Sequence, residues 1–189
     1  MATELLQRSV TTADLLALPN DGIDRWLVRG ELREKPNTLR NRFHSKVVMS
    51  LGAALKIWRD QQPEPRGEVV GGEAGFRLVR DPDTTVGIDI AYVSPEVMAR
   101  QTSETTLIEG VPLLAVEVIS PSDTNEEMNE KIDLYLAAGV ALIWYVDPRR
   151  RTATVYQPGQ AVCTINENEV LSGGAVLSGF HVMLGELFR

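Results

Sequence analysis

The sequence predicts an α/β domain, and three patterns predict it. Leu113–Ile119 is apolar on both faces of the pleat, as expected of a central strand covered on each side. Ala141–Val146 is a second run of the same kind. Between them lies one N-capped amphipathic helix, long enough for a crossover that makes the two strands parallel neighbours.

The other elements follow in chain order. Thr11-Thr-Ala-Asp14 offers a hydroxyl cap for a short helix carrying Leu15, Leu16 and Leu18, which Pro19–Gly22 ends. Arg25–Val28 and Glu31–Glu34 read as two short strands in a hairpin around Arg29-Gly30, with Trp26, Val28 and Leu32 towards the core. The longest helical pattern runs from Thr38 to about Gln61. Phe43, Val47, Leu51, Leu55 and Trp58 recur along it at steps of three and four. Pro63–Gly67 breaks it. Glu68–Gly72 and Ala74–Val79 read as a strand pair with a glycine-rich connection, and Arg80–Thr85 as a turn. Gly87–Val93 is a strand, apolar on both sides except at Asp89, and residues 96–110 read as a surface excursion of low regularity.

In Leu113–Ile119, Leu114, Val116 and Val118 take one face and Ala115, Glu117 and Ile119 the other. Thr124-Asn-Glu-Glu127 fits a capping box. Met128, Ile132, Tyr135 and Leu136 share one face of the helix that follows, Lys131 flanks that face, and Gly139 is its C-cap. Thr152–Gln157 and Ala161–Ile165 form further strands across Pro158-Gly159. Phe180, Val182, Leu184, Leu187 and Phe188 dock a terminal segment on the core. With no repeat, low-complexity segment or internal boundary, residues 1–189 read as one domain.

One cysteine, Cys163, excludes an internal disulfide and favours a reducing compartment. No apolar run approaches the roughly 18 residues of a membrane span, and the first residues do not read as a signal peptide. The expectation is a cytoplasmic protein with no membrane partner. The net charge of −7 argues against coating nucleic acid non-specifically. It leaves room for a metal-dependent nuclease, whose cation-holding carboxylates are themselves negative. Arg40, Arg42, Lys46 and Arg59 along the long helix read either as a solvated face or as a phosphate-contacting surface. His44 beside them reads as a packed or capped histidine.

Two carboxylates stand inside apolar runs, Asp89 and Glu117. Burying a carboxylate without a partner costs several kcal/mol or forces it to take up a proton. A cation resolves that conflict. Mg²⁺ takes hard oxygen ligands, and beside a phosphodiester it polarises the phosphoryl oxygen and activates the attacking water. A lysine such as Lys131 stabilises charge developing on phosphorus. A structural ion pair of Lys131 with Glu117 accounts for the same residues.

Four stretches together resemble one family: Val86-Gly-Ile-Asp-Ile-Ala-Tyr-Val-Ser94, Leu114-Ala-Val-Glu-Val-Ile-Ser-Pro-Ser-Asp-Thr124, Lys131-Ile-Asp-Leu-Tyr-Leu-Ala-Ala-Gly-Val140 and Ile143-Trp-Tyr-Val-Asp-Pro148. The resemblance is to the Uma2 family (DUF820), restriction-endonuclease-like proteins of the PD-(D/E)XK nuclease superfamily, and it covers nearly the whole chain. Gly75-Phe-Arg-Leu78 and the Gly179-Phe-His-Val and Leu187-Phe188 segments share it. It implies a restriction-endonuclease-like core, with a mixed central sheet flanked by helices and added hairpins towards both termini. It also implies Asp89 and Glu117 as the two acids of the motif, with the Val118 main-chain carbonyl joining them on Mg²⁺ or Mn²⁺. Ile88 stands where the motif has proline, and Ile119 where its lysine is expected. The family draws its lysine from the following helix, where Lys131 matches. Glu73 and His44 are open as auxiliary ligands or supporting contacts. The implied activity is hydrolysis of DNA phosphodiester bonds, with a homodimer handling two strands. The contrasting reading is a non-catalytic binding or assembly module on the same fold.

Overall fold

A computed structural model of the chain describes residues 9–37, 39, 41–102 and 106–189. Helix α1 (Thr12–Leu16) begins with a reciprocal cap: the Thr11 hydroxyl accepts the Asp14 N–H, and the Asp14 carboxylate accepts the Thr11 N–H at 3.0 Å. Strands β1 (Ile23–Val28) and β2 (Glu31–Pro36) form the expected hairpin. Its two turn residues, Arg29 and Gly30, both have positive φ, 51° and 76°, the twist a two-residue hairpin requires. A Cβ at Gly30 would also come within 2.8 Å of the Ser9 Cβ. Leu27 is the most buried residue of β1, whereas Trp26 and Leu32 are only partly covered. Both faces of this strand are therefore used.

Helix α2 (Arg42–Asp60) starts later than the Thr38 expected from periodicity. Asn41 is its cap, accepting the N–H groups of Phe43 and His44; Thr38 and Arg40 lie outside the described residues. The buried stripe is His44, Val47, Leu51, Leu55 and Trp58. Phe43, expected in it, is 52% exposed under the Arg42 guanidinium. The spacing fits either residue, and packing against the sheet selects His44.

The segment expected as a strand pair is instead one continuous strand, β3 (Glu68–Val79), antiparallel to β4 (Thr84–Val93). Gly72 and Glu73 both have positive φ, 78° and 58°, and the register slips between Gly71 and Ala74. The glycines bulge the strand without reversing it. The excursion that follows contains helix α3 (Pro95–Met98), capped by Ser94, and β5 (Ile108–Glu109), which pairs parallel with β3.

Strand β6 (Leu114–Val118) is buried at every residue. Helix α4 (Asn125–Ala138) has the Thr124/Glu127 capping box and a left-handed Gly139 cap at φ 92°. It leads into β7 (Leu142–Asp147), which pairs with β6 in parallel, Leu114 opposite Leu142 through Val118 opposite Val146. Strands β8 (Thr152–Tyr156) and β9 (Cys163–Asn166) extend the sheet, while β10 (Val170–Ser172) and β11 (His181–Met183) pair separately before a 3-10 helix at Leu184–Phe188.

The main sheet runs β2-β1-β4-β6-β7-β8-β9, with β3 on the other edge of β4 and β5 beside β3. It is mixed and flanked by helices. One face buries Val116, Val118, Trp144 and Phe180 with the α2 stripe; the other buries Ala115, Ile143 and Tyr145 with Ile132 and Tyr135 of α4. A single edge of β4 serves two partners. β1 meets it at Thr85, β6 meets it from Ile90 to Tyr92, and residues 86–89 lie between. Among the described residues no helix is long and apolar enough to cross a membrane.

Helix α1 is tied to the sheet through Asp83, whose carboxylate accepts the Thr12 N–H at 2.7 Å and the Thr12 hydroxyl at 2.6 Å, with Arg77 at 3.6 Å. Burial works to raise the Asp83 carboxyl, but the Thr12 donors and the Arg77 charge outweigh it and hold it below its ordinary value. The unfolded chain then binds the proton more readily, so this contribution is present at neutral pH and lost as pH falls through the folded value. Asp83→Asn is expected to lower stability by about 1–3 kcal/mol at pH 7. The gap from wild type should narrow below about pH 4, as followed by urea midpoints across pH; a gap that does not change with pH would rule out this linkage.

Candidate active site

The gap in the edge of β4 is where the polar groups converge. Asp89 is the last residue before β4 joins β6, and its Oδ2 accepts the Val118 N–H of β6 at 2.8 Å. The side chain thus takes the acceptor place that a strand carbonyl would fill. The faces of β4 record the irregularity: Ile88 and Ala91 pack under α4, whereas Ile90 and Tyr92 pack under α2. Simple alternation is broken at Asp89, opposite the β3 bulge. From the α2 side, His44 places Nε2 at 3.2 Å from the same Asp89 Oδ2. Among the described residues the buried His44 Nδ1 has no hydrogen-bond partner, a cost of about 1–3 kcal/mol.

Glu117 lies on the face of β6 that α4 covers. Lys131 and Tyr135 stand one helical turn apart on α4, and both reach it. The Lys131 ammonium donates to Oε2 at 2.7 Å and the Tyr135 hydroxyl to Oε1 at 2.5 Å. Asp89 and Glu117 are each 7% exposed, so neither faces bulk water.

Burial works to raise the Asp89 carboxyl, but the hydrogen bonds from His44 and Val118 bring it below its ordinary value. Burial raises Glu117; the Lys131 charge pulls it down, Asp89 pushes it up again, and it ends above its ordinary value. For Lys131 burial favours the neutral form, yet the charges of Glu117, Asp89 and Asp123 outweigh that, so the ammonium stays protonated. Burial, with Glu117 beside it, holds Tyr135 far up as a neutral donor, and Tyr145 is raised for the same reasons. With both carboxylates ionised, Asp89, Glu117 and Lys131 carry one negative charge more than they neutralise.

The Val118 N–H points to the Asp89 edge, and an extended residue sends its carbonyl to the same edge. Two carboxylates and one carbonyl are oxygen donors of the kind a small hard cation takes, water completing its shell. Among the described residues no three His, Cys, Asp or Glu side chains are arranged to hold a metal. A cation here would therefore lean on the carbonyl and on water.

A cavity of about 420 Å³ opens beside Lys131 and Glu117, bordered also by Val118, Trp26, Lys35 and Glu73. Glu73 thus reaches the same cavity from the β3 bulge, while His44 reaches Asp89 from the opposite layer. Arg59 is committed to the Gly67 carbonyl and Asp60 rather than to an open phosphate surface. Sequence reasoning placed Tyr135 only in the core, although its spacing of four from Lys131 already put both on one side of α4. Asp123, which accepts the Ser120 N–H and lies 3.4 Å from Lys35, was not singled out.

A solved structure described as that of a putative nuclease belonging to DUF820, from Anabaena variabilis ATCC 29413, matches with a TM-score of 0.77 and 19% identity, over 95% of this chain and 97% of that chain. At that identity the likeness is one of fold. No curated protein matches the chain. The sequence pattern of Uma2, described as a putative restriction endonuclease, matches residues 12–185, which takes in the β4 gap, both acids and the lysine: the chain belongs to the Uma2 family.

Proposed function

We propose that the protein is a Mg²⁺- or Mn²⁺-dependent endonuclease that hydrolyses DNA phosphodiester bonds at the β4 gap. The observation that carries this reading is that buried Asp89 binds the Val118 N–H, next to buried Glu117 with its Lys131 ammonium, at a broken sheet edge. The family's description as a putative restriction endonuclease supports nucleic acid as the substrate class. Asp89, Glu117 and the Val118 carbonyl would hold the cation, which when bound polarises a phosphoryl oxygen and makes water a better nucleophile. Asp89 contributes a carboxylate kept ionised by its two donors. Glu117 contributes a second carboxylate that is largely buried, where charge interactions are strengthened. Lys131 keeps its proton and borders the cavity, so its ammonium is available to a phosphate oxygen as charge builds there. DNA and a second copy of the chain are the partners this reading calls for.

Plasmid nicking with Mg²⁺ or Mn²⁺ tests it. Asp89→Ala and Glu117→Ala are each expected to lower the rate by at least about 10²-fold, and chelation to abolish it; wild-type rates in both variants would remove the proposal. One observation favours a non-catalytic module instead: both Glu117 oxygens already have donors. That reading predicts no Mn²⁺ binding, whereas the nuclease predicts a calorimetric heat that Asp89→Ala abolishes.

A further inference from the structure

We propose that His44 is a positioning residue that fixes the rotation of the Asp89 carboxylate, an inference that rests on the divalent-cation reading of the site. Both donors to Asp89, the His44 ring and the Val118 N–H, take the same oxygen, Oδ2. Among the described residues no hydrogen bond reaches Oδ1. Two donors on one oxygen hold the carboxylate in one orientation and leave the other oxygen for a ligand.

The helix that carries His44 is itself anchored at that point. Asn41 accepts the His44 N–H at 3.1 Å, so the ring sits in a capped first turn rather than on a fraying end. Stability alone does not account for a histidine here. Every other buried position of the stripe is apolar (Val47, Leu51, Leu55 and Trp58), and an aliphatic residue at 44 would leave no Nδ1 stranded. What the imidazole supplies and an aliphatic does not is Nε2 against Asp89.

The test is calorimetric titration of Mn²⁺ into the full chain as wild type, His44→Leu, His44→Asn and His44→Gln, with the Mn²⁺ dependence of plasmid nicking in parallel. The Gln amide nitrogen reaches about as far as Nε2; that of Asn does not. His44→Leu and His44→Asn are expected to bind Mn²⁺ about 10–100-fold more weakly. His44→Gln should return to within about threefold of wild type, since the supporting contact is restored. The Mn²⁺ concentration for half-maximal nicking should rise in the same proportion, with a smaller change in maximal rate. The Asn variant keeps the test open should the Leu variant fail to fold. Wild-type Mn²⁺ affinity in His44→Asn, or a Gln variant no better than Asn, would overturn the inference while leaving the nuclease reading standing. A wild type that binds no Mn²⁺ would overturn both.

Discussion

Lys131→Met is expected to bind Mn²⁺ more tightly than wild type and to cleave DNA about 10²–10³-fold more slowly. The two effects have opposite sign because the ammonium has two relations to the site. It donates to Glu117 Oε2 at 2.7 Å, so a cation that seeks this oxygen competes with it. Tyr135 holds the other oxygen and is uncharged. Without Lys131, the positive charge that offsets the repulsion of Glu117 by Asp89 is lost, and the pull on a divalent cation rises. Glu117 is already raised by burial and by Asp89, so a proton also becomes a stronger competitor; the titration is therefore made in alkaline buffer. Lys131→Arg keeps the charge and is expected to bind Mn²⁺ no better than wild type. Stability should fall by about 1–3 kcal/mol in Lys131→Met, less than for a wholly buried pair, because the lysine reaches solvent. A variant that binds Mn²⁺ no more tightly and cleaves like wild type would return Lys131 to the role of a structural ion pair.

Trp144→Ala is expected to cost about 3–5 kcal/mol, whereas Trp144→Phe should stay within about 1 kcal/mol of wild type. Trp144 is fully buried in β7, between Val116 of β6 and Val155 of β8, with its ring 5.4 Å from that of Phe180. Truncation to alanine empties the centre of that layer. Phenylalanine also leaves a void, but it removes an indole N–H that has no acceptor among the described residues. Such an orphan costs about 1–3 kcal/mol, which offsets the lost volume. Urea midpoints at unchanged slope decide between these values. A phenylalanine variant as unstable as the alanine one would mean that the indole N–H has an acceptor.

The crossover unit was legible in the sequence because its signals are local. A fully apolar strand, a capping box and a C-cap glycine each act within a few residues, and β6, α4 and β7 stand where those signals put them. Glu117 and Lys131 could be paired from the same stretch, since helix spacing fixes which side of α4 meets β6. The contact of His44 with Asp89 was not legible. Residues 43 and 44 fit the α2 stripe equally well, and the choice is made by a sheet face assembled from remote strands. The β3 bulge was missed because glycines that kink a strand and glycines that reverse it look alike until a partner strand is in place. The shared edge of β4 has no sequence signature, since it depends on where β1 and β6 each stop pairing.

That shared edge also bears on synthesis of the chain. Residues 44, 89, 117 and 131 become neighbours only after β4 has closed on β6 and α4 has folded back over both. Such remote pairings form late compared with helices and hairpins. A nascent polypeptide leaving the ribosome would thus hold Asp89 apart from Glu117 and Lys131, and the buried charged cluster would exist only once the last of these segments had been made.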